Sequence, residues 1–410
     1  VLQVWVEEER RPGRVTRRAR FETPDGRATE PLWFEIEGSV LPPPVTLLDG
    51  FAVAFLFRAM REGTPLRLHG PVSRRLLQNL EEFQAAWHCW RPAEYRPIEI
   101  LADQEVDPAP REDGSAVVAF SGGADSMFTL WRHHRARAGR GSRRLAAAIM
   151  IHGFDIPLPD QAGFALAQAS ARAALDSIEL PLVTMRTNWR PLLCHTWIHE
   201  FGAALVASLY QYHGLAAAGL LAADGSYDHL LVPWGSNAVT NRLLSGGDFE
   251  VIDDGTAYKR TEKLLGLRDW PAGLANLRVC WAGDRVGANC GVCEKCIRTQ
   301  LSFRSAGLPV PAAFDAPAGL LDICRLGGVY YPQLSSLIHI WREGRANGIR
   351  EPWMWALAFT IAKNHCLGPF HPALRGVRRR LARVGWLRTL YHQLHGRTRP
   401  APMAEDGGRS

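Results

Sequence analysis

The chain has 410 residues, 47% hydrophobic and 22% charged, with a formal net charge of +7. That length exceeds one ordinary core and predicts two or three modules of a soluble globular protein. No apolar run reaches the roughly 18 residues of a membrane span, and the charged opening, residues 1–20, lacks an apolar signal core, so no membrane contact and a cytoplasmic location are expected. The opening valine predicts a few further residues upstream.

Residues 1–112 read as an N-terminal α+β region without a chemical motif. Alternation over 32–36 predicts a strand, 51–61 and 73–87 predict helices, and 98–101 a further strand. The polar, proline-rich stretch 107–114 predicts a boundary. Beyond it strand and helix alternate: strands at 116–120, 145–151, 180–185, 229–233 and 277–281, and helices at 126–134, 163–175 and 199–212. This order predicts an α/β, doubly wound parallel sheet over residues 113–306, with ligands at the carboxyl ends of its strands. Helical patterns at 333–342 and 352–363 predict a helical C-terminal region over 307–396, and 397–410 reads as a disordered tail.

Ser121-Gly122-Gly123-Ala124-Asp125-Ser126 follows the first of these buried strands. Two glycines let the backbone turn tightly and present amides to a phosphate, and the following helix adds free N–H donors. Ser121 and Ser126 offer hydroxyl donors. Asp125 would repel a phosphate directly, which points to a bridging magnesium ion, Mg2+. The Gly-Lys-Ser/Thr ending of a Walker loop is missing. The loop resembles that of the N-type ATP pyrophosphatases (the PP-loop superfamily), which implies cleavage of ATP between its α and β phosphates.

Half of the eight cysteines are Cys280, Cys290, Cys293 and Cys296. The Cys-x-x-Cys spacing predicts a structural four-thiolate zinc (Zn2+) site in a reducing compartment, with Gly291 allowing the knuckle and Asn289 and Lys295 available to hydrogen-bond the sulfurs. Cys89, Cys194, Cys324 and Cys366 are scattered and read as structural.

Loop and cluster together resemble the 7-cyano-7-deazaguanine synthases, the QueC family, over about residues 114–305. The resemblance implies ATP binding by Ser121, Gly122, Gly123, Asp125 and Ser126, and zinc ligation by the four cysteines. It also implies a ligase that adenylates a carboxylate or carbonyl for attack by ammonia or an amine, giving an amide or nitrile. The family's Pro-x-Arg-Asn stretch is replaced by Pro233 to Asn241 without the arginine, and the outer regions are foreign to compact members, so the reaction class carries over and a deazaguanine substrate does not follow. The acceptor is a small molecule or a protein terminus.

His152 and Asp155 follow the second strand, and Asp253 and Asp254 form a similar acidic case; each is either a nucleotide or magnesium contact or an ordinary loop residue. Lys263, in the run Lys259-Arg260-Thr261-Glu262-Lys263, is a candidate to stabilise departing pyrophosphate, against a solvated helix face. Trp234 to Asn237 is a candidate specificity loop. His195 and His199 stand four apart with Glu200 following, but the glutamate is misplaced for a zinc-protease motif, and the histidines read as buried or helix N-terminal. Arg375, Arg378, Arg379, Arg380, Arg383 and Arg388 are either a nucleic-acid contact or a solvated face, and the chain allows a homodimer. Two other classes stay open. A sulfur-inserting enzyme would recast the cysteines as iron–sulfur ligands. A non-catalytic nucleotide-binding module would leave the loop without turnover.

Overall fold

The computed structural model describes residues 1–367, apart from 24, 25, 27, 28, 281–287 and 328–330. It is a mixed α/β protein with a ten-stranded, largely parallel sheet and twelve α-helices among the described residues. Packing divides it after Lys259 into two compact units.

In the first unit, β1 (Leu2–Arg11) and β2 (Arg14–Glu22) form a hairpin whose turn uses Gly13 at φ +74°. Their register sets an acidic run against a basic one, with Glu9–Arg18 at 3.0 Å and Glu7–Arg20 at 3.1 Å. One pair is buried: Arg17, 2% exposed, binds Glu8 at 2.7 Å and donates to the Gln211 and Pro43 carbonyls at 2.6 Å each. Then come β3 (Leu32–Glu37), α1 (Asp49–Glu62), β4 (Leu66–Ser73), α2 (Arg74–Trp90) and β5 (Ile100–Val106). Ser73 caps α2, accepting from the Leu76 amide, which satisfies one of the amides that a helix start leaves without a partner.

The phosphate-loop half follows as β6 (Ser115–Ala119), α3 (Ala124–His134), β7 (Arg144–His152), α4 (Gln161–Asp176), β8 (Leu182–Thr187), α5 (Trp189–Leu193), α6 (Trp197–Leu209), β9 (Ala218–Ala222) and β10 (Glu250–Asp254). All five β6 residues are buried, as a central strand covered on both faces requires. The sheet order is β10-β9-β6-β7-β8-β3-β2-β1-β4-β5. Counted from β6, the first five run fifth-fourth-first-second-third, all parallel. That order reverses direction between β6 and β9, and such a switch point opens a crevice at the strands' carboxyl ends. The sheet does not stop at residue 112. β3 pairs antiparallel with β8, so residues 1–112 and the parallel strands share one sheet and one core.

Two expected strands lie elsewhere. Residues 229–233 are not a strand; Leu230, Leu231 and Val232 are 37–46% exposed. The fourth strand is β9, an Ala/Gly-rich segment with low strand propensity. A Cβ on its Gly219 would lie 3.0 Å from Phe249 and 3.1 Å from Leu209, so neighbouring packing, not propensity, selects it. The fifth is β10; residues 277–280 form no strand, and Trp281 lies outside the described residues.

The second unit begins at Arg260, before the boundary expected at residue 307. It comprises α7 (Arg260–Leu265), α8 (Pro271–Ala275), the cysteine cluster, α9 (Glu294–Ser305), α10 (Leu320–Arg325), α11 (Tyr331–Ala346) and α12 (Pro352–Leu367). Ile297, Leu301, Ile323, Leu337, Trp353 and Leu357 form its core. The six C-terminal arginines and the tail 397–410 lie outside the described residues.

Candidate functional site

The Ser121–Ser126 loop lies between the carboxyl end of β6 and α3, beside the switch point with β9. Gly122 has φ +73°, a conformation that favours glycine. The two serines close the loop: Ser126 Oγ lies 3.2 Å from Ser121 Oγ, accepts the Ser121 amide at 3.3 Å and donates to the Gly123 carbonyl at 3.1 Å. Ser121 Oγ in turn accepts the Gly123 amide at 3.2 Å. Gly123 is the α3 N-cap and supplies no side-chain cap, while Asp125 occupies the first turn. A helix start points its first amides outward with a partial positive charge, so an anion at this end would be favoured. Ser121 is exposed and Ser126 buried, so the cradle opens to solvent on one side.

His152 ends β7 and is 2% exposed. Its ring stacks on Phe164 with centroids 4.3 Å apart, and its Nε2 lies 3.0 Å from the Pro157 carbonyl. Burial pushes its pKa below the ordinary imidazole value, and the Pro157 hydrogen bond only partly opposes that. Asp155 is exposed. At the end of β10, Asp254 is buried and paired with Arg132 and, at 3.2 Å, His133, while Asp253 accepts from Thr256 at 3.4 Å. Lys259 pairs with Asp228 at 3.3 Å. The cationic run follows β10, not β9. Lys263 is placed in α7 of the second unit and is 2% exposed.

Sequence reasoning missed how tightly residues 233–241 are built. The Asn237 side chain donates to the Trp234 carbonyl at 2.7 Å and Thr240 Oγ1 at 3.0 Å, and accepts the Val239 and Thr240 amides at 3.0 Å each. The Gly235 amide donates to the Ile198 carbonyl at 2.7 Å. Its carbonyl is so close to α6 that a Cβ on Gly202 would lie 1.9 Å from it. Nearby, Glu200 caps α6 by accepting the His195 and Thr196 amides at 3.1 and 3.4 Å, and pairs with Arg61 at 3.0 Å. His199, 3% exposed, lies in the first turn of the same helix.

The four cysteines converge in the second unit, all sulfurs within 4.8 Å of one another. Cys280 and Cys293 are 3.8 Å apart, and Cys290 and Cys296 are 4.0 Å apart. A tetrahedral ion with sulfurs at about 2.3 Å spaces its ligands by roughly 3.8 Å. A cluster would instead spread them over several irons. The set therefore suits a single metal ion such as zinc. Gly291 at φ +75° turns the knuckle, and the Cys293 amide donates to Cys290 Sγ at 3.3 Å. Cys293 is the N-cap of α9, which puts Cys296 in the first turn, where the helix dipole favours thiolate. Hydrogen bonding among the four thiols works in opposite directions, pushing the Cys280 pKa down, through Cys290 first, and those of Cys293 and Cys296 up, through Cys280 first. Asn289 acts on the backbone of the Cys280 limb, accepting the Val279 and Cys280 amides at 2.9 and 3.2 Å and donating to the Leu277 and Ala313 carbonyls at 2.7 and 2.9 Å.

The chain is thus a mixed α/β protein with a glycine-serine loop at a strand-order switch in the first unit and, separately, a four-cysteine cluster in the second. Comparison with protein-family models, curated proteins and solved structures found no match.

Proposed function

We propose that the chain is a QueC-like ATP pyrophosphatase with a doubly wound PP-loop domain of the HUP kind. On this reading it adenylates a carboxylate or carbonyl of its substrate, releases pyrophosphate, and directs ammonia or an amine to the activated carbon. The observation that carries the reading is the Ser121–Ser126 loop at the carboxyl end of β6, next to the switch point. Catalysis is then mostly positioning and electrostatics. Gly122, Gly123 and the opening amides of α3 hold the phosphates, the Ser121 and Ser126 hydroxyls turn toward them, and Asp125 would hold magnesium. Magnesium, when bound, supplies charge neutralisation on the phosphates. Residues 233–241, following β9, are the candidate acceptor loop. On this reading His152, stacked on Phe164, and Asp254, paired with Arg132 and His133, support the crevice wall.

Zinc in the four-cysteine site is structural here, because four thiolates leave no open position. The sulfur-insertion reading needs cluster ligands, and sulfur spacings of 3.8 and 4.0 Å favour a single ion. Asp125→Ala and Ser126→Ala should each lower ATP turnover by at least about 100-fold, with folding unchanged. Full turnover in Asp125→Ala would remove the loop from the chemistry.

A further inference from the structure

The first unit holds a cavity of about 590 Å³, lined among others by Arg75, Arg111, Arg143, Arg242, Asp248 and Glu250. Arg143 directly precedes β7 and Glu250 opens β10, so the cavity sits at the amino ends of the parallel strands, whereas the Ser121–Ser126 loop sits at the carboxyl end of β6. It is therefore a separate place on the sheet.

Four arginines face two carboxylates there; Glu250 is engaged, and Asp248 is engaged through one of its two oxygens, the other having no hydrogen-bond partner. Asp248 lies 2.7 Å from His213 Nε2, and Glu250 binds Arg143 at 2.5 Å. Arg111 is held by Asp113 at 2.7 Å and by the Gly214 and Leu215 carbonyls. Among the described residues, the guanidinium groups of Arg75 and Arg242 have neither ion pair nor hydrogen bond. Arg75 is also badly placed for the helix that carries it. It lies in the first turn of α2, which contains no acidic residue, where the dipole disfavours a cation. Its neighbour Arg74 is compensated by Glu105 at 3.3 Å and Asp107 at 2.5 Å. Arg75 has no such compensation, and an anion in the cavity would provide it. The volume falls in the range of small-ligand sites. Guanidinium groups suit phosphate oxygens by charge and by their paired donors.

We propose that this cavity binds a small oligophosphate, bare or carried on a nucleoside, independently of the Ser121–Ser126 loop. The test uses full-length protein with the loop disabled by Asp125→Ala and Ser126→Ala, titrated calorimetrically with inorganic tripolyphosphate and with ATP. Saturable binding at one ligand per chain should persist and weaken with salt. Adding Arg75→Ala and Arg242→Ala, both exposed positions, should lower affinity at least tenfold without moving the melting temperature. ATP binding tenfold tighter than tripolyphosphate would assign a nucleotide; equal affinities would assign the phosphate chain alone. Loss of binding in the loop variant, or binding indifferent to the two arginine changes, would overturn the proposal. Neither result touches the adenylation reading, which is measured by turnover.

Discussion

Serine at Cys296 probes the metal centre at its most enclosed ligand. Cys296 is 0% exposed, sits in the first turn of α9 and lies 4.0 Å from Cys290 Sγ. A structural zinc site contributes about 10–16 kcal/mol to a small fold, so one ligand in four carries roughly 2.5–4 kcal/mol. α9 also contributes Ile297 and Leu301, both 0% exposed, to the core of the second unit. Loosening its N-terminus therefore spreads into that core. At about 2–4 °C per kcal/mol, the melting temperature of this unit should fall by roughly 5–16 °C. Differential scanning calorimetry with metal analysis by mass spectrometry reads both quantities. Wild type should carry one zinc and no visible absorbance, the variant less zinc and the lower transition. Cys89→Ser, at an exposed cysteine, should leave both unchanged. A Cys296→Ser protein that keeps one zinc and melts within 2 °C of wild type (about 1 kcal/mol or less) would refute the reasoning, as would stoichiometric iron.

Glu8→Ala strands the buried Arg17 charge and should cost about 3 kcal/mol in urea unfolding; a loss below about 1 kcal/mol would show that the two carbonyls suffice. Burial alone would raise the Glu8 pKa, but hydrogen bonds from Arg10 and Arg17 hold it below its ordinary 4.5. Its contribution is thus present above pH 4.5 and lost as pH falls through the lowered value, so Glu8→Gln should flatten the acid limb of the stability curve. Gly202→Ala must push the Gly235 carbonyl off α6, costing about 1–3 kcal/mol and altering acceptor KM more than ATP affinity; an unchanged acceptor KM would detach residues 233–241 from substrate.

The features legible in the sequence were those whose chemistry is local. The Ser121–Ser126 loop and the Cys-x-x-Cys knuckle need particular residue types at fixed spacings, and the structure places them at a strand end and a helix start. β6, β7 and β8 were readable because strands buried on both faces are continuous apolar runs. β9 was not, because its Ala and Gly residues are chosen by Phe249 and Leu209 pressing on them. The exposed Leu230 to Val232 run took its place in the reading. β1 and β2 were hidden for a different reason. Their residues pair by charge across the hairpin, a pattern invisible until the register is known. The joining of residues 1–112 to the parallel strands rests on one antiparallel pairing, β3 with β8, between segments about 150 residues apart. No periodicity within either segment encodes it.

On the proposed reading, the Ser121–Ser126 loop splits ATP between its α and β phosphates. The most direct measurement is product analysis of α- and γ-labelled ATP incubated with the full-length protein, magnesium, an ammonium salt and a panel of carboxylates. AMP and pyrophosphate should form in equal amounts, dependent on one class of acceptor and absent with Asp125→Ala. ADP and inorganic phosphate as the only products would contradict it.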